Sequence, residues 1–171
     1  QAQTSNTILP DSPIAFTAVE YAPEDIGTPP VPGSARPNGG GVDVRGSGEF
    51  GGTSDAFQFA WQKRSGDFDV RARLADFEPT DPFAKAGLMA RETLEPGSRF
   101  VAAVATPTMV GCFSLVRTTA GAAASRNGFL PANYPETWLR LKRAGNVFTA
   151  YASFDGQAWV QLSSTSLSLP T

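Results

Sequence analysis

One stretch decides the fold of this chain: residues 54–91, which read SDAFQFAWQKRSGDFDVRARLADFEPTDPFAKAGLMAR. Its first segment places large aromatic residues at every second position and smaller or polar residues between them: Phe57, Phe59 and Trp61 against Gln58 and Ala60. After a Ser-Gly-Asp turn, apolar residues again take every second position, at Phe68, Val70, Ala72 and Leu74. Such alternation, interrupted by Gly, Pro and Asp, predicts antiparallel strands with one buried face.

The same period-two pattern predicts about eight to ten strands along the whole chain and no helix. The segments are residues 14–19, 42–44, 57–61, 68–74, 85–91, 100–106, 111–118, 138–143, 147–153 and 159–162. Residues 100–106 form an almost continuous apolar run, which is typical of a strand buried on both faces. Residues 23–41 are rich in Pro and end in three Gly, and residues 119–133 are rich in Ala, Gly and Ser, so both are predicted to be loops.

With 171 residues, 17 Gly and 14 Pro, the chain suits one β-rich domain with its own core. We divide it into an N-terminal arm or edge strand, residues 1–22, and a single β-sandwich domain, residues 23–171. The segment 166–171 reads as the approach to a further strand. The chain starts Gln-Ala-Gln, which favours a mature protein left by signal-peptide removal over a fragment boundary. We therefore expect an extracytoplasmic protein: secreted, periplasmic or on the cell surface.

Composition excludes several function classes. A net charge of −2 gives no basic field for nucleic acid, and no apolar run is long enough to span a bilayer. Histidine is absent, which excludes Ser-His-Asp and Cys-His catalysis and histidine zinc sites within this chain. The single cysteine, Cys112, stands in an apolar run and is expected to be a small buried side chain.

Five motifs resemble those of a family of secreted bacterial domains: Ser54-Asp55, Gly66-Asp67, DPFAKAG at 81–87, WLRLKR at 138–143 and SFDGQAW at 153–159. The family is a laminin-G-like branch, largely of unknown function, of the concanavalin A-like lectin/glucanase superfamily, and the resemblance covers roughly residues 24–165. It implies a two-sheet antiparallel jelly-roll sandwich and a role in binding or spacing beside glycan-processing enzymes or in surface proteins. It also implies one or two strands beyond the position of Thr171, whose absence would leave backbone groups unpaired.

Catalysis is not predicted. Glucanases of this superfamily carry acidic residues at alternate positions of one strand, so that both catalytic carboxylates share a face. The nearest pattern here is Asp67 and Asp69, followed by Arg71 and Arg73, which indicates paired surface charges. We therefore expect no enzymatic activity and no organic cofactor.

A calcium site is the only metal site that the sequence offers. Asp76, Glu78 and Asp81 lie on one connection between strands, and Ca²⁺ accepts carboxylate oxygens from irregular loops. Solvated loop acids, with Asp81 capping the turn before Pro82, are the alternative.

Aromatic and basic residues near the C-terminal hairpin form the candidate ligand site. Trp138 alternates away from Leu139 and Leu141, on the side of the strand that also carries Arg140. With Trp61, Trp159, Tyr134 and Tyr151, Trp138 would give a sugar ring a stacking surface; the alternative is that these residues belong to the core or cover the sheet.

Two functions follow from these observations. The first is a non-catalytic extracellular binding or accessory module whose partner is a glycan. The second is a structural or interaction subunit of a surface or membrane-associated assembly, in which another protein chain completes the sandwich.

Overall fold

The computed structural model describes residues 2–7, 21–78 and 80–170. It is all-β, and the described residues form thirteen strands. They are β1 (Ala2–Thr7), β2 (Ala22–Ile26), β3 (Ser34–Asn38), β4 (Gly41–Gly46), β5 (Phe57–Trp61), β6 (Phe68–Phe77), β7 (Ala86–Arg91), β8 (Phe100–Ala105), β9 (Cys112–Arg117), β10 (Ser125–Leu130), β11 (Thr137–Ala144), β12 (Val147–Ser153) and β13 (Val160–Ser166). The strand expected at residues 14–19 lies outside the described residues.

The strands form a sandwich of antiparallel sheets. One layer is a seven-stranded sheet in the order β13-β12-β11-β6-β1-β4-β3. The facing layer consists of a four-stranded sheet, β10-β9-β8-β7, and a two-stranded sheet, β2-β5. Residues 2–7 of the N-terminal segment thus form a strand inside the large sheet, between β6 and β4.

The main core lies between the seven-stranded and four-stranded sheets. Inward-facing side chains of β6, β8, β11 and β12 meet there, led by Leu74, Val101, Leu139, Leu141 and Phe148, each at most 2% exposed. Leu167 and Leu169, after the last strand, are also buried in this core. The chain end therefore covers the core as an irregular segment, and the further strand that residues 166–171 suggest is not formed by residues 167–170.

Strand β8 is buried on both faces, as its continuous apolar run predicts. Val101 faces the large sheet, whereas Phe100 and Val104 pack in a second cluster on the outer side, under Phe50 and Phe57. The Gly-rich segment before β5 therefore covers the outer face of the four-stranded sheet.

The two segments predicted to be loops contain strands. Within residues 23–41 lie β3 and most of β2, and residues 119–133 contain β10. The loop prediction was wrong because all three segments are edge strands. Pro23 lies in the paired part of β2 and Pro37 in that of β3, and β10 is almost wholly exposed. An edge strand tolerates proline and needs no apolar alternation, so its sequence carries little strand signal.

The most buried side chain of β5 is not one of its aromatic residues. Gln58, at 9% exposed, points towards the β3–β4 hairpin, where a Cβ atom on Gly46 would lie 2.8 Å from the Cβ of Gln58. The three aromatic residues of β5 are only half-buried. The alternation correctly predicts a strand, but the larger side chains do not mark its most buried face.

Candidate binding face

A row of four side chains crosses the outer face of the seven-stranded sheet. Arg140 on β11 lies directly opposite Arg71 on β6 and Tyr151 on β12, and Tyr151 lies opposite Gln161 on β13. Residues that are paired across antiparallel strands point to the same side of the sheet. Because Leu139 and Leu141 point into the core, this row, hereafter the outer row, faces solvent.

The guanidinium of Arg140 is the centre of the outer row. Its Cζ atom lies 5.3 Å from the ring centroid of Tyr151 and 5.6 Å from that of Trp159, which are cation–π distances. Arg71 lies 5.8 Å from the same Trp159 ring. Two aromatic rings and two guanidinium groups therefore stand together on an accessible surface.

Asp69 holds Arg140 in this position. The Nε atom of Arg140 donates to Oδ1 of Asp69 at 2.7 Å, and its Nη2 atom donates to Oδ2, a two-pronged contact. These hydrogen bonds lower the pKa of Asp69 below its usual range, and burial opposes them only in part. The orientation of Arg140 is thus fixed before any ligand binds.

Trp138, the best sugar-stacking candidate in the sequence, lies in the next cross-strand row, opposite Arg73. One side of its ring is covered by the turn after β12, since a Cβ atom on Gly156 would lie 2.9 Å from the indole. Its Nε1 atom is buried and makes no hydrogen bond within the described part of the chain. Trp138 therefore contributes at most one ring face to a ligand and also supports the turn.

Tyr134 does not join this group. Its hydroxyl donates to the carbonyl of Thr106 at 3.0 Å, and its ring packs against Phe77 at a centroid distance of 6.1 Å. Burial raises the pKa of Tyr134 well above its usual range. Of the four predicted ligand-binding residues, the structure places Trp138, Arg140 and Tyr151 on one face and puts Tyr134 against the core.

Arg71 belongs to the candidate site, although it was not predicted for it. Trp159, one of the predicted stacking residues, joins the site, whereas Trp61 lies on β5 in the other layer. A signal for Arg71 was available, because alternation along β6 places it on the face opposite Val70 and Ala72. Trp159 precedes β13, and its approach to Arg140 depends on the turn geometry, which alternation does not describe.

The three acids considered for calcium do not form a metal group. Across residues 21–78 and 80–170, no three His, Cys, Asp or Glu side chains are placed to hold an ion together. Oδ1 of Asp76 accepts the backbone N–H of Phe77 at 2.8 Å, and Oδ1 of Asp81 accepts that of Phe83 at 2.7 Å. Asp81 thus serves the local turn, which matches the turn-capping alternative, whereas Asp76 lies within β6 and binds the N–H of the next residue.

A buried ion pair lies on the other layer. Arg117 and Asp55 are 0% and 1% exposed, and Nη1 and Nη2 of Arg117 donate to Oδ2 and Oδ1 of Asp55 at 2.8 and 2.6 Å. Arg117 also donates to the carbonyls of Ala122 and Ser98. Strand alternation does not indicate this pair, because its two residues are far apart in the chain.

A cavity of about 600 Å³ opens between the layers, beside β5 and β7. Its inner wall is apolar and includes Val70, Leu74, Leu141 and Phe148.

No protein-family model, no curated protein and no solved structure matches the chain. In the described residues, no helix is both long and apolar enough to cross a membrane.

Proposed function

We propose that this protein is a non-catalytic binding module of the concanavalin A-like type that acts outside the cytoplasm and holds a glycan on the outer row. The observation that carries the proposal is the placement of Arg140 between the rings of Tyr151 and Trp159 on a solvent-facing sheet.

The chemistry of this face suits a sugar. A pyranose ring offers an apolar C–H face, which packs on aromatic rings, and a rim of hydroxyl groups, which need donors and acceptors. Tyr151 and Trp159 supply the rings, and the guanidinium of Arg71 and the amide of Gln161 supply polar groups on either side.

Preorganisation supports the same proposal. Arg140 is held by Asp69 and by two rings, so little side-chain freedom remains to be lost when a ligand binds. A flexible surface arginine would lose more side-chain conformational entropy on binding, and would therefore bind more weakly for the same contacts.

The test is affinity electrophoresis of the protein through gels that contain members of a polysaccharide panel, with and without Ca²⁺. We expect at least one polysaccharide to retard the wild-type protein. Tyr151→Ala and Trp159→Ala are each expected to weaken that binding by about five- to thirtyfold, because truncating a central aromatic side chain costs roughly 1–2 kcal/mol.

Phe129→Ala is the matched control. Phe129 is 54% exposed and lies on β10, in the other layer, so its removal is expected to leave the retardation unchanged. Thermal melting of each variant separates loss of binding from loss of folding. Wild-type protein that no polysaccharide retards, or variants that bind as the wild type does, would contradict the proposal.

A further inference from the structure

A second row of side chains runs beside the outer row on the same face of the large sheet. Lys142 on β11 lies opposite Asp69 on β6 and opposite Thr149 on β12, and Thr149 lies opposite Ser164 on β13. These four residues are hereafter the polar row. Along β6, β11 and β12 they stand two residues from the members of the outer row, so the two rows are parallel and about 7 Å apart.

The one carboxylate of the polar row is already bound. Both oxygens of Asp69 accept from Arg140, and Nε of Arg71 lies 3.9 Å from Oδ1 of the same carboxylate. Lys142 is exposed and near enough to help lower the pKa of Asp69, but among the described residues its ammonium group makes no hydrogen bond or ion pair. Lys142 is thus a third cation beside a carboxylate that two arginines already share.

Three further acids of the described chain border this face, and each has a partner of its own. Glu136 lies 3.5 Å from Arg73. Asp67 and Asp155 accept backbone N–H groups of the turns beside them. None of these carboxylates contacts Lys142, which therefore stays available to an anion that arrives from solvent.

The polar groups that the row offers to a ligand are an ammonium group and two hydroxyls. Within the described chain, neither Thr149 nor Ser164 makes a side-chain hydrogen bond. An ammonium group only donates, and a hydroxyl can donate. A sugar hydroxyl is best held by a donor and an acceptor together, whereas a substituent that only accepts and is negatively charged matches a row whose carboxylate is taken.

Three donors on three neighbouring strands suit a tetrahedral oxyanion. Side chains that are directly opposite on adjacent strands have Cβ atoms about 5 Å apart, and the long side chain of Lys142 can extend over Thr149. A sulfate or phosphate ester offers three terminal oxygens to such a group of donors, whereas a carboxylate offers two. Tyr151 stands next to Thr149 on the same face of β12, so an ester group on a sugar ring that packs on Tyr151 extends towards the polar row.

We propose that the glycan of the outer row carries sulfate or phosphate ester groups, one of which is bound by Lys142 with the hydroxyls of Thr149 and Ser164. This inference rests on the proposed function and names the class of its ligand. The protein as a whole has a net charge of −2, so the attraction of such a polyanion is a local property of this face and not of the whole molecule.

Dextran derivatives test the substituent while the sugar backbone stays the same. Affinity electrophoresis compares dextran sulfate, dextran phosphate and carboxymethyl dextran at equal charge density, with unmodified dextran beside them. We expect the sulfate or the phosphate derivative to bind the whole protein at least fivefold more tightly than carboxymethyl dextran does. Which of the two esters binds more tightly identifies the ester.

Lys142→Gln locates the site, and Lys63→Gln is its matched control. Lys63 is also exposed but lies between β5 and β6, so both variants remove one exposed lysine and change the net charge equally. We expect Lys142→Gln to weaken binding of the ester about five- to tenfold and Lys63→Gln to leave it unchanged. Thr149→Val removes a hydroxyl without changing the charge or the branched shape, and is expected to weaken binding about threefold. Thermal melting of each variant checks the fold.

The results separate this inference from the proposed function. If only neutral polysaccharides retard the protein, glycan binding stands and the ester is excluded, whereas if no polysaccharide and no dextran derivative binds, both proposals fail. Equal binding of carboxymethyl dextran would exclude a specific site for an ester. Equal effects of Lys142→Gln and Lys63→Gln would remove the site from the polar row. Complete displacement of dextran sulfate by millimolar sodium sulfate at constant ionic strength would assign the row to the free ion instead.

Discussion

Arg117 is the largest of the fully buried side chains among the described residues, although its type and its place at the end of β9 indicate a surface charge. What buries it is Asp55, 62 positions earlier in the chain, together with backbone carbonyls from three loops. Alternation assigns a residue to a face of a strand, but it cannot show which distant segment covers that face. The sequence therefore predicts β9 and not the ion pair.

Loss of Asp55 is expected to be costly because it leaves Arg117 charged and buried. We expect Asp55→Ala to lower the free energy of unfolding by about 3–5 kcal/mol, measured by urea denaturation. Glu136→Gln, which breaks the exposed pair with Arg73, is the control and is expected to cost about 0.5 kcal/mol or less. Similar losses for the two variants would contradict the assigned role of the buried pair.

Cys112 is expected to be unreactive in the folded protein. It is 1% exposed, and burial raises the pKa of its thiol to about 12. At pH 8 a thiol reagent is expected to label it only as fast as the protein unfolds. Labelling at the rate of a free thiol, without denaturant, would show that the core is open at β9.

The same thiol predicts an alkaline loss of stability. In the unfolded chain the thiol ionises near its ordinary pKa, whereas in the folded protein its pKa is raised to about 12. Its contribution to the free energy of unfolding is therefore complete below the ordinary pKa and falls as the pH rises towards 12. Cys112→Ala is expected to lose less stability than the wild type between pH 9 and 11 in urea melts. Parallel losses for the two proteins would contradict this.

Glycan binding is expected to persist into mild acid. The pKa of Asp69 is lowered by Arg140, so the pair that fixes Arg140 stays ionised from neutral pH to below the ordinary carboxyl range. Binding is therefore expected to be flat between pH 7 and about 5 and to fall only below about pH 4. Calorimetry of the wild type against Asp69→Asn tests this: the variant, which has no carboxylate to protonate, is expected to bind more weakly throughout and to lack the acidic fall.

At the scale of elements, the sequence predicts interior strands well and edge strands poorly. β6, β8, β11 and β12 bury one face or two, so their apolar residues repeat with the period of a strand. β10 reads Ser-Arg-Asn-Gly-Phe-Leu and buries almost nothing, so backbone pairing with β9 alone makes it a strand. Pairing of that kind leaves no pattern in the side chains.

The turn after β12 supports the binding face. Gly156 has φ of +71° and lies against Trp138, whereas Gly145, in the β11–β12 turn, has φ of +58° and open space around it. Both Gly156→Ala and Gly145→Ala are expected to cost about 1–2 kcal/mol in backbone strain. Gly156→Ala is expected to lower stability more than Gly145→Ala does and to weaken glycan binding as well, because its methyl group displaces Trp138. Equal effects of the two variants in melting and binding assays would contradict the contact between Gly156 and Trp138.

At the scale of the whole molecule, the all-β sandwich is confirmed, while the family and the function remain proposals. The candidate site was predictable in part. Arg140 and Tyr151 meet through simple strand pairing, which a hairpin sequence indicates, whereas Trp159 reaches them through a turn. Tyr134 was misplaced because a tyrosine beside a strand can face either the core or solvent, and composition does not distinguish the two.

Binding of a glycan to the outer row is best measured by two-dimensional ¹H–¹⁵N NMR spectra. The spectra are recorded during titration with an oligosaccharide of the polysaccharide that retards the protein. We expect the shifted resonances to cluster on the backbone of Arg71, Arg140, Tyr151 and Gln161 and on the indole N–H of Trp159. The amides of β5 and β7 are expected not to move. Shifts that cluster on β5 and β7 instead would place the sugar in the cavity and exclude the outer row as its site.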